Sequence, residues 1–135
     1  MNVLVDTSVW SLALRRGLTS DGPEVPELIE LIKEARVQMI GPVRQELLSG
    51  IKSQSQFQKL RNHLRSFPDL ELTIRDYEYA AEFFNLCRSK GVQGSNTDFL
   101  ICAIAARNKT PIFTTDRDFI LFQLHLPITL HRSRT

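Results

Sequence analysis

The chain has 135 residues, with 17 Lys or Arg against 15 Asp or Glu, and therefore a formal charge of +2. Its 42% hydrophobic content excludes a disordered chain, and its length is that of one domain, since domains most often span about 100–150 residues. We therefore expect residues 1–135 to form a single globular domain. The near-neutral charge by itself gives no sign of a polyanionic partner.

The sequence also indicates the cellular compartment of the protein. The longest apolar stretch, 99–106, is far shorter than the ~20 residues that a transmembrane helix needs. The first residues carry no basic leader, and Asp6 interrupts the first apolar run, so we expect no secretory signal. Cys87 and Cys102 are too few for a disulfide framework. These features predict a cytoplasmic protein with reduced thiols and no membrane partner.

Apolar periodicity predicts short strands that alternate with helices. The predicted strands are 2–5, 37–40, 70–73, 111–114 and 128–130, and the predicted helices are 9–14, 24–36, 42–49, 55–67, 76–90, 96–107 and 117–124. The segment 17–23 is linker-like in composition. Strands that alternate with helices indicate an α/β fold with a parallel sheet.

Carboxylates follow the predicted strands at four separate places. Asp6 ends the first strand, Asp116 follows the strand 111–114, Glu46 lies one turn into the helix after the second strand, and Asp98 is in the first turn of helix 96–107. Ligands of parallel sheets bind outside the carboxyl ends of the strands, where helices begin. The spacing therefore predicts that the four acids lie along one edge of the sheet.

Each acid also has a purely structural explanation. Asp6 and Asp116 are suited to capping the helices that follow them, with Asp118 in the first turn of the later helix. Asp98 suits the positive end of a helix dipole, and Glu46 suits a solvated helix face. Since these roles place the acids at the same edge, the pattern alone leaves both interpretations open.

Convergence of the acids would require a cation, because neighbouring carboxylates repel one another. Oxygen ligands favour Mg²⁺ or Mn²⁺ over zinc, and His63, His125 and His131 have no zinc-ligand spacing. A Mg²⁺ ion held by carboxylates suits phosphate chemistry, since it activates water and neutralises phosphodiester charge. Glycine-rich phosphate loops and the serine nucleophile elbow are missing from the sequence.

The four acids lie in four segments: Val-Asp-Thr-Ser-Val-Trp at 5–10, Val-Arg-Gln-Glu-Leu-Leu-Ser-Gly at 43–50, Asn-Thr-Asp-Phe-Leu-Ile-Cys-Ala-Ile-Ala-Ala at 96–106 and Ile-Phe-Thr-Thr-Asp-Arg-Asp-Phe at 112–119. These segments resemble the PIN-domain family, and more narrowly its VapC-type ribonuclease toxins of toxin–antitoxin (VapBC) pairs. They occur in family order along the whole chain. The resemblance implies a three-layer α/β/α sandwich around a mainly parallel sheet, and a metal-dependent endoribonuclease.

The resemblance assigns the acidic quartet of the family to Asp6, Glu46, Asp98 and Asp116. It implies that Asp6 and Asp98 hold Mg²⁺, or Mn²⁺, with Asp116 completing or bridging the metal shell. Glu46 would orient or deprotonate the attacking water. Asp118 and Glu46 are secondary candidates for metal binding, Asp118 because some relatives carry a further acid at its position.

Neighbouring polar side chains are assigned in the same way. The hydroxyls of Ser8 and Thr115 resemble groups that support the site. Arg15, Arg44 and Arg117 are candidates for binding RNA phosphates, with an ordinary solvated arginine as the alternative for each. The formal charge of +2 counts the four acids of the site, so the rest of the chain is more basic than that figure suggests.

The resemblance further implies partners. It implies cleavage of tRNA or rRNA to 3′-hydroxyl and 5′-phosphate ends, inhibition of translation, and a cognate VapB-type antitoxin that covers the groove. It also implies a homodimer and a toxin–antitoxin hetero-oligomer. Candidate groove residues, with core packing as the alternative for each, are Leu28, Phe57, Leu60 and Leu64.

Two other functions compete with this one. A phosphoacceptor receiver domain is also a small α/β fold with Mg²⁺ and acids at strand ends, but it needs an acid pair after its first strand, where this chain has only Asp6. The second is a PIN-like binding scaffold without catalysis, against which the intact set of four acids argues.

Overall fold

A computed structural model describes residues 1–16 and 22–134, and these residues form four strands and seven helices. In chain order they are β1 (Val3–Val5), α1 (Thr7–Arg16), α2 (Glu24–Lys33), β2 (Val37–Ile40), α3 (Gly41–Leu48), α4 (Gln54–Leu64), β3 (Asp69–Leu70), α5 (Ile74–Ser89), α6 (Asn96–Asn108), β4 (Ile112–Phe113) and α7 (Asp118–Gln123). Most of the predicted linker, 17–23, lies outside the described residues.

The four strands form one parallel sheet in the order β3-β2-β1-β4. β1 lies inside the sheet, where Val3 pairs with Val37 on one side and Val5 pairs with Phe113 on the other. Its residues are apolar and buried because both faces of a parallel sheet are covered by helices. The predicted α/β fold with a central parallel sheet is confirmed, and the carboxyl ends of β1, β2 and β4 meet at one edge.

Aromatic side chains join α5, α6 and α7 behind that edge. The ring of Phe99 on α6 lies 5.5 Å from that of Phe84 on α5 and 5.0 Å from that of Phe122 on α7, and Phe119 lies 5.1 Å from Phe122. These four rings are called the phenylalanine cluster below. Because interiors are close-packed, the cluster fixes the three helices relative to one another.

Two predicted strands differ from the structure. The expected strand 128–130 is an isolated parallel bridge between Ile112 and Leu130, and Pro127 before it has no N–H to donate to a ladder. β3 ends at Leu70, short of the predicted 73, because Thr73 caps α5. Its N–H donates to Oδ2 of Asp76, and its hydroxyl accepts from the N–H of Asp76.

Two of the three buried acids are paired with cations. Glu27 on α2 accepts hydrogen bonds from Arg134 and His131, and Asp76 on α5 accepts two from Arg107 on α6. Burial opposes their charged forms, yet these bonds hold the pKa of Glu27 and of Asp76 below the ordinary carboxyl value. The pairs fasten the C-terminal segment to α2 and α6 to α5.

Both cysteines are free and buried, as expected, and burial raises the pKa of each thiol. Within the described ranges, the longest helix has 16 residues, and none is long and apolar enough to cross a membrane.

Candidate active site

Asp6 lies directly after β1, at the middle of the carboxyl edge of the sheet, and is only 5% exposed. Its Oδ2 atom accepts hydrogen bonds from the hydroxyls of Ser8, at 2.7 Å, and Thr114, at 2.8 Å. Among the described residues, Oδ1 accepts no hydrogen bond. The carboxylate is therefore held by one oxygen and keeps the other for a ligand.

The two hydroxyls are in turn oriented by the chain that follows β4. The N–H of Thr115 donates to Oγ of Ser8 at 3.0 Å, and the N–H of Asp116 donates to Oγ1 of Thr114 at 3.0 Å. Each hydroxyl accepts one of these bonds and donates a hydrogen bond to Asp6. The segment that carries Asp116 is thereby bound to Asp6 through two side chains.

This network refines the predicted supporting residues. The hydroxyl of Ser8 bonds to Asp6, whereas Thr115 contributes its backbone N–H, and its neighbour Thr114 supplies the second hydroxyl. Sequence analysis missed Thr114. Strand pairing could have indicated Thr114. Leu4 pairs with Ile112 and Val5 with Phe113, so the next residue after β4, Thr114, comes opposite Asp6.

Asp98 occupies the third position of α6 in a capping box. Its Oδ2 accepts from the N–H of Ser95 at 3.0 Å, and its own N–H donates to Oγ of Ser95 at 3.1 Å. Ser95, the residue before α6, supplies the side-chain oxygen of this cap. Asp98 thus has both the structural role that the sequence allowed and a place at the edge.

The pKa of Asp98 is raised, first because burial disfavours the charged carboxylate and then because Asp6 and Asp116 place negative charge nearby. The bonds from Ser95 oppose this rise. Asp6 and Asp116 are therefore the carboxylates whose charges act on Asp98.

Asp116 and Asp118 lie at the start of α7. Asp116 accepts from the N–H of Asp118 through Oδ1 at 2.9 Å, and its carbonyl accepts from the N–H of Phe119. Asp116 therefore bonds to the first N–H of α7, whose N-cap position is Arg117 rather than Asp116. Asp118 is exposed in the first turn of the helix, and its part in the site stays a prediction.

Glu46 is exposed on α3, and its Oε1 accepts a hydrogen bond from the hydroxyl of Thr7, with 2.7 Å between the two oxygens. Thr7 is the residue after Asp6, so this bond places Glu46 beside the same edge. Sequence analysis did not single out Thr7, since a hydroxyl at the start of a helix is ordinary. The second carboxylate oxygen of Glu46 has no hydrogen bond among the described residues.

The predicted RNA-binding arginines have different surroundings. Arg44 donates to Asp69 at 2.8 and 3.0 Å and to the carbonyls of Leu64 and Phe67, which gives it a structural role between α3 and β3. Arg117 is exposed between Asp116 and Asp118. The side chain of Arg15 lies outside the described residues. RNA binding by any of the three stays a prediction.

Asp6 differs from the other buried acids in its charge balance. Glu27 and Asp76 each face an arginine, whereas Asp6 forms no ion pair within the described part of the chain. A buried carboxylate without a cation is costly. The set of oxygen donors fits a hard divalent cation such as Mg²⁺ or Mn²⁺.

The predicted acids do not form a preformed metal-binding cluster. Across residues 1–16 and 22–134, no three carboxylate, imidazole or thiol groups lie close enough to share one metal ion. Mutual repulsion keeps carboxylates apart, and a bound cation removes that repulsion. The metal ligands therefore stay a prediction that rests on the chemistry of the donors.

Comparisons with known proteins agree with this architecture. A PIN domain family model matches residues 3–122. The ribonuclease VapC11 of Mycobacterium tuberculosis is 30% identical over 119 residues, which cover 87% of this chain and 88% of that protein. A VapC ribonuclease of Mycobacterium bovis matches to the same extent.

Solved structures share the fold at lower identity. VapBC2 from Rickettsia felis, bound to a DNA fragment from its promoter, has a TM-score of 0.77 at 21% identity and covers 97% of this chain and 98% of its own. FitAcB from Neisseria gonorrhoeae has a TM-score of 0.75 at 20% identity, with 97% of each chain covered.

Proposed function

Because the chain belongs to the PIN-domain family, we propose that it is a divalent-metal-dependent endoribonuclease and the toxin of a VapBC-type toxin–antitoxin pair. The observation that carries the proposal is the state of Asp6, a buried carboxylate without a cation partner among the described residues. Asp98 and Asp116 lie near enough to add their charges to this edge. The 30% identity to ribonucleases of the VapC type supports the same reaction class.

In this proposal Asp6, Asp98 and Asp116 hold one Mg²⁺ or Mn²⁺. Oδ1 of Asp6 would be the atom that binds the ion, while Ser8 and Thr114 keep Oδ2 in place. When bound, the ion supplies a Lewis acid for the phosphodiester and lowers the pKa of water. The hydroxyls of Ser8 and Thr114 use their hydrogen atoms in bonds to Asp6, so they do not donate to the phosphodiester.

Glu46 is the residue that orients the attacking water and accepts its proton. Thr7 holds Oε1, so that Oε2 remains the acceptor. Its exposure on α3 gives the water a path from solvent. Hydrolysis then leaves a 5′-phosphate on one RNA fragment and a 3′-hydroxyl on the other, and exposed loops of tRNA or rRNA are the expected substrates.

Removal of metal tests the reaction class. Purified chain, freed of any partner, is incubated with labelled tRNA and rRNA in Mg²⁺, in Mn²⁺, or in EDTA. We expect cleavage with either metal and a loss of at least about 100-fold in EDTA, restored when metal is added back. Cleavage that persists after chelation contradicts the metal-dependent site.

Thr114→Val tests the network behind Asp6. The change removes one hydrogen bond to Oδ2 of Asp6 and the acceptor of the Asp116 N–H while it keeps the side-chain shape. We expect the Kd for Mn²⁺, measured by calorimetry, to rise about 10- to 100-fold. Thr115→Val is the matched control, because only the backbone of Thr115 bonds to Ser8. Equal effects of the two changes contradict the assigned network.

We also propose where an antitoxin binds. A groove of about 880 Å³ lies between α1, α3 and α4, with the apolar side chains of Leu14 and Leu60 beside the polar Lys59 and His63. Glu46 lines the same groove, so a segment bound there reaches the acidic edge. Of the other predicted groove residues, Leu28 and Leu64 belong to the core, which confirms the alternative explanation for them.

Leu14→Glu tests this assignment. Leu14 is 40% exposed, so an acid is tolerated in the free protein but places a charge in the apolar part of the groove. We expect co-purification with the product of the neighbouring reading frame to be lost while RNA cleavage is kept. Leu124→Glu, at a side chain that is 72% exposed and lies outside the groove, is the control. If both variants lose the partner, or if neither does, the groove is not the antitoxin-binding site.

A further inference from the structure

The loop between α5 and α6 makes an unusually close contact at Gly94. A Cβ atom placed on this residue would lie 2.6 Å from Cζ of Phe122 and 3.0 Å from Cε2 of Phe99. Both distances are well inside the 3.5–4.0 Å at which carbon atoms attract each other. The backbone of Gly94 therefore lies directly against the edges of two aromatic rings, and only glycine leaves room for them.

Those rings have little freedom to move aside. Phe99 and Phe122 are both fully buried, and they belong to the phenylalanine cluster together with Phe84 and Phe119. A ring in a close-packed interior cannot shift without displacing its neighbours. The position of Gly94 is thus determined by the packing of α6 against α7.

The same contact joins the two chain segments that carry Asp98 and Asp116. Gly94 immediately precedes Ser95, whose side chain and N–H bond to Asp98, and Phe99 is the residue after Asp98. Phe122 belongs to α7, which starts directly after the turn that contains Asp116. A displacement at Gly94 therefore moves the cap that holds Asp98 relative to the turn that holds Asp116.

We propose that Gly94 is a positioning residue, which sets the location of Asp98 relative to Asp116 through its contact with Phe122 and Phe99. The inference rests on the proposed metal-dependent function and adds to it a residue outside the set of acids. Gly94 touches neither RNA nor ion in this account. Its effect reaches the acids through the Ser95 cap.

Gly94→Ala, Phe122→Leu and the double variant test the proposal. An added methyl group at 94 displaces the cap, and we expect the Kd for Mn²⁺ to rise about tenfold, with kcat lowered and the KM for RNA unchanged. Phe122→Leu removes the ring atom nearest to the added methyl, so the double variant is expected to bind Mn²⁺ within about threefold of the wild type. Gln93→Ala, an exposed residue of the same loop, is the control.

A second readout needs neither metal nor activity. The N–H of Asp98 is bonded to the hydroxyl of Ser95, so its hydrogen exchange in the metal-free protein reports the state of the cap. We expect faster exchange in Gly94→Ala and recovery in the double variant. If Gly94→Ala does not fold, Phe122→Leu is compared with the double variant, where the added methyl is expected to tighten Mn²⁺ binding.

The outcomes separate this inference from the proposed function. A wild type that binds no Mn²⁺ and cleaves no RNA contradicts the proposed function. A wild type that does both, while Gly94→Ala keeps its Mn²⁺ affinity and Asp98 exchange, overturns the role of Gly94 alone. If Gly94→Ala loses Mn²⁺ affinity and the double variant does not recover it, the role of Gly94 is also overturned. The effect of the added methyl group then does not pass through the ring of Phe122.

Discussion

Asp6→Asn is expected to lower metal-dependent RNA cleavage by at least about 1,000-fold, or about 4 kcal/mol of activation free energy, while the protein stays folded. Groups that only orient a metal ligand contribute about 10- to 100-fold, so loss of the charge of the ligand itself costs more. The amide oxygen of asparagine still accepts bonds from Ser8 and Thr114, which preserves the local structure.

The stability of the same variant provides a second check. Asp6 is buried without an ion pair among the described residues, so replacing its charge by a neutral amide is expected to leave the unfolding free energy unchanged or higher. Urea unfolding and RNA cleavage are measured together, with Glu82→Gln, an exposed acid on α5, as the control. An Asp6→Asn variant that keeps full metal-dependent activity contradicts the site.

Asp98→Asn is expected to have the second largest effect, a loss of activity of at least about 100-fold accompanied by greater stability of the metal-free protein. Its pKa in the folded state is raised by burial and by the charges of Asp6 and Asp116. The folded protein therefore binds more protons than the unfolded chain just above the ordinary aspartate value of ~4, and stability falls as pH rises through that range.

Asp98→Asn removes this fall in folding stability with rising pH, because asparagine carries no charge. At neutral pH we expect the metal-free variant to melt at a higher temperature than the wild type and to keep the capping bond from Ser95. Mg²⁺ is expected to stabilise the wild type and not the variant. Thermal scans with and without Mg²⁺ measure both effects. A variant that is destabilised and still gains stability from Mg²⁺ contradicts the assignment of Asp98.

The positions of the acids were predictable because topology determines them. A buried apolar strand followed by Asp6, and another followed by Asp116, must end at one edge if the sheet is parallel. Asp98 was predicted in the first turn of α6, where the structure has it, although the capping residue is Ser95. These relations are local in sequence, and short apolar runs with capping residues contain enough information to recover them.

Contacts between distant segments were not predictable in this way. The bond from Thr7 to Glu46 spans 39 positions, and that from Thr114 to Asp6 spans 108. The close approach of Gly94 to Phe122 depends on how α6 packs against α7, which no local pattern contains. Likewise, the structural role of Arg44 follows from the position of Asp69 across β3 rather than from the motif around Glu46.

The central claim is that Asp6, Asp98 and Asp116 hold one divalent ion, and a crystal structure with Mn²⁺ tests it most directly. Anomalous scattering locates the ion independently of activity. We expect one peak at the carboxyl edge of the sheet, about 2.0–2.3 Å from Oδ1 of Asp6 and bonded to Asp98 or Asp116, and no such peak in crystals of Asp6→Asn. A protein that cleaves RNA in Mn²⁺ while the ion lies elsewhere, or persists in the Asp6→Asn crystals, contradicts the account.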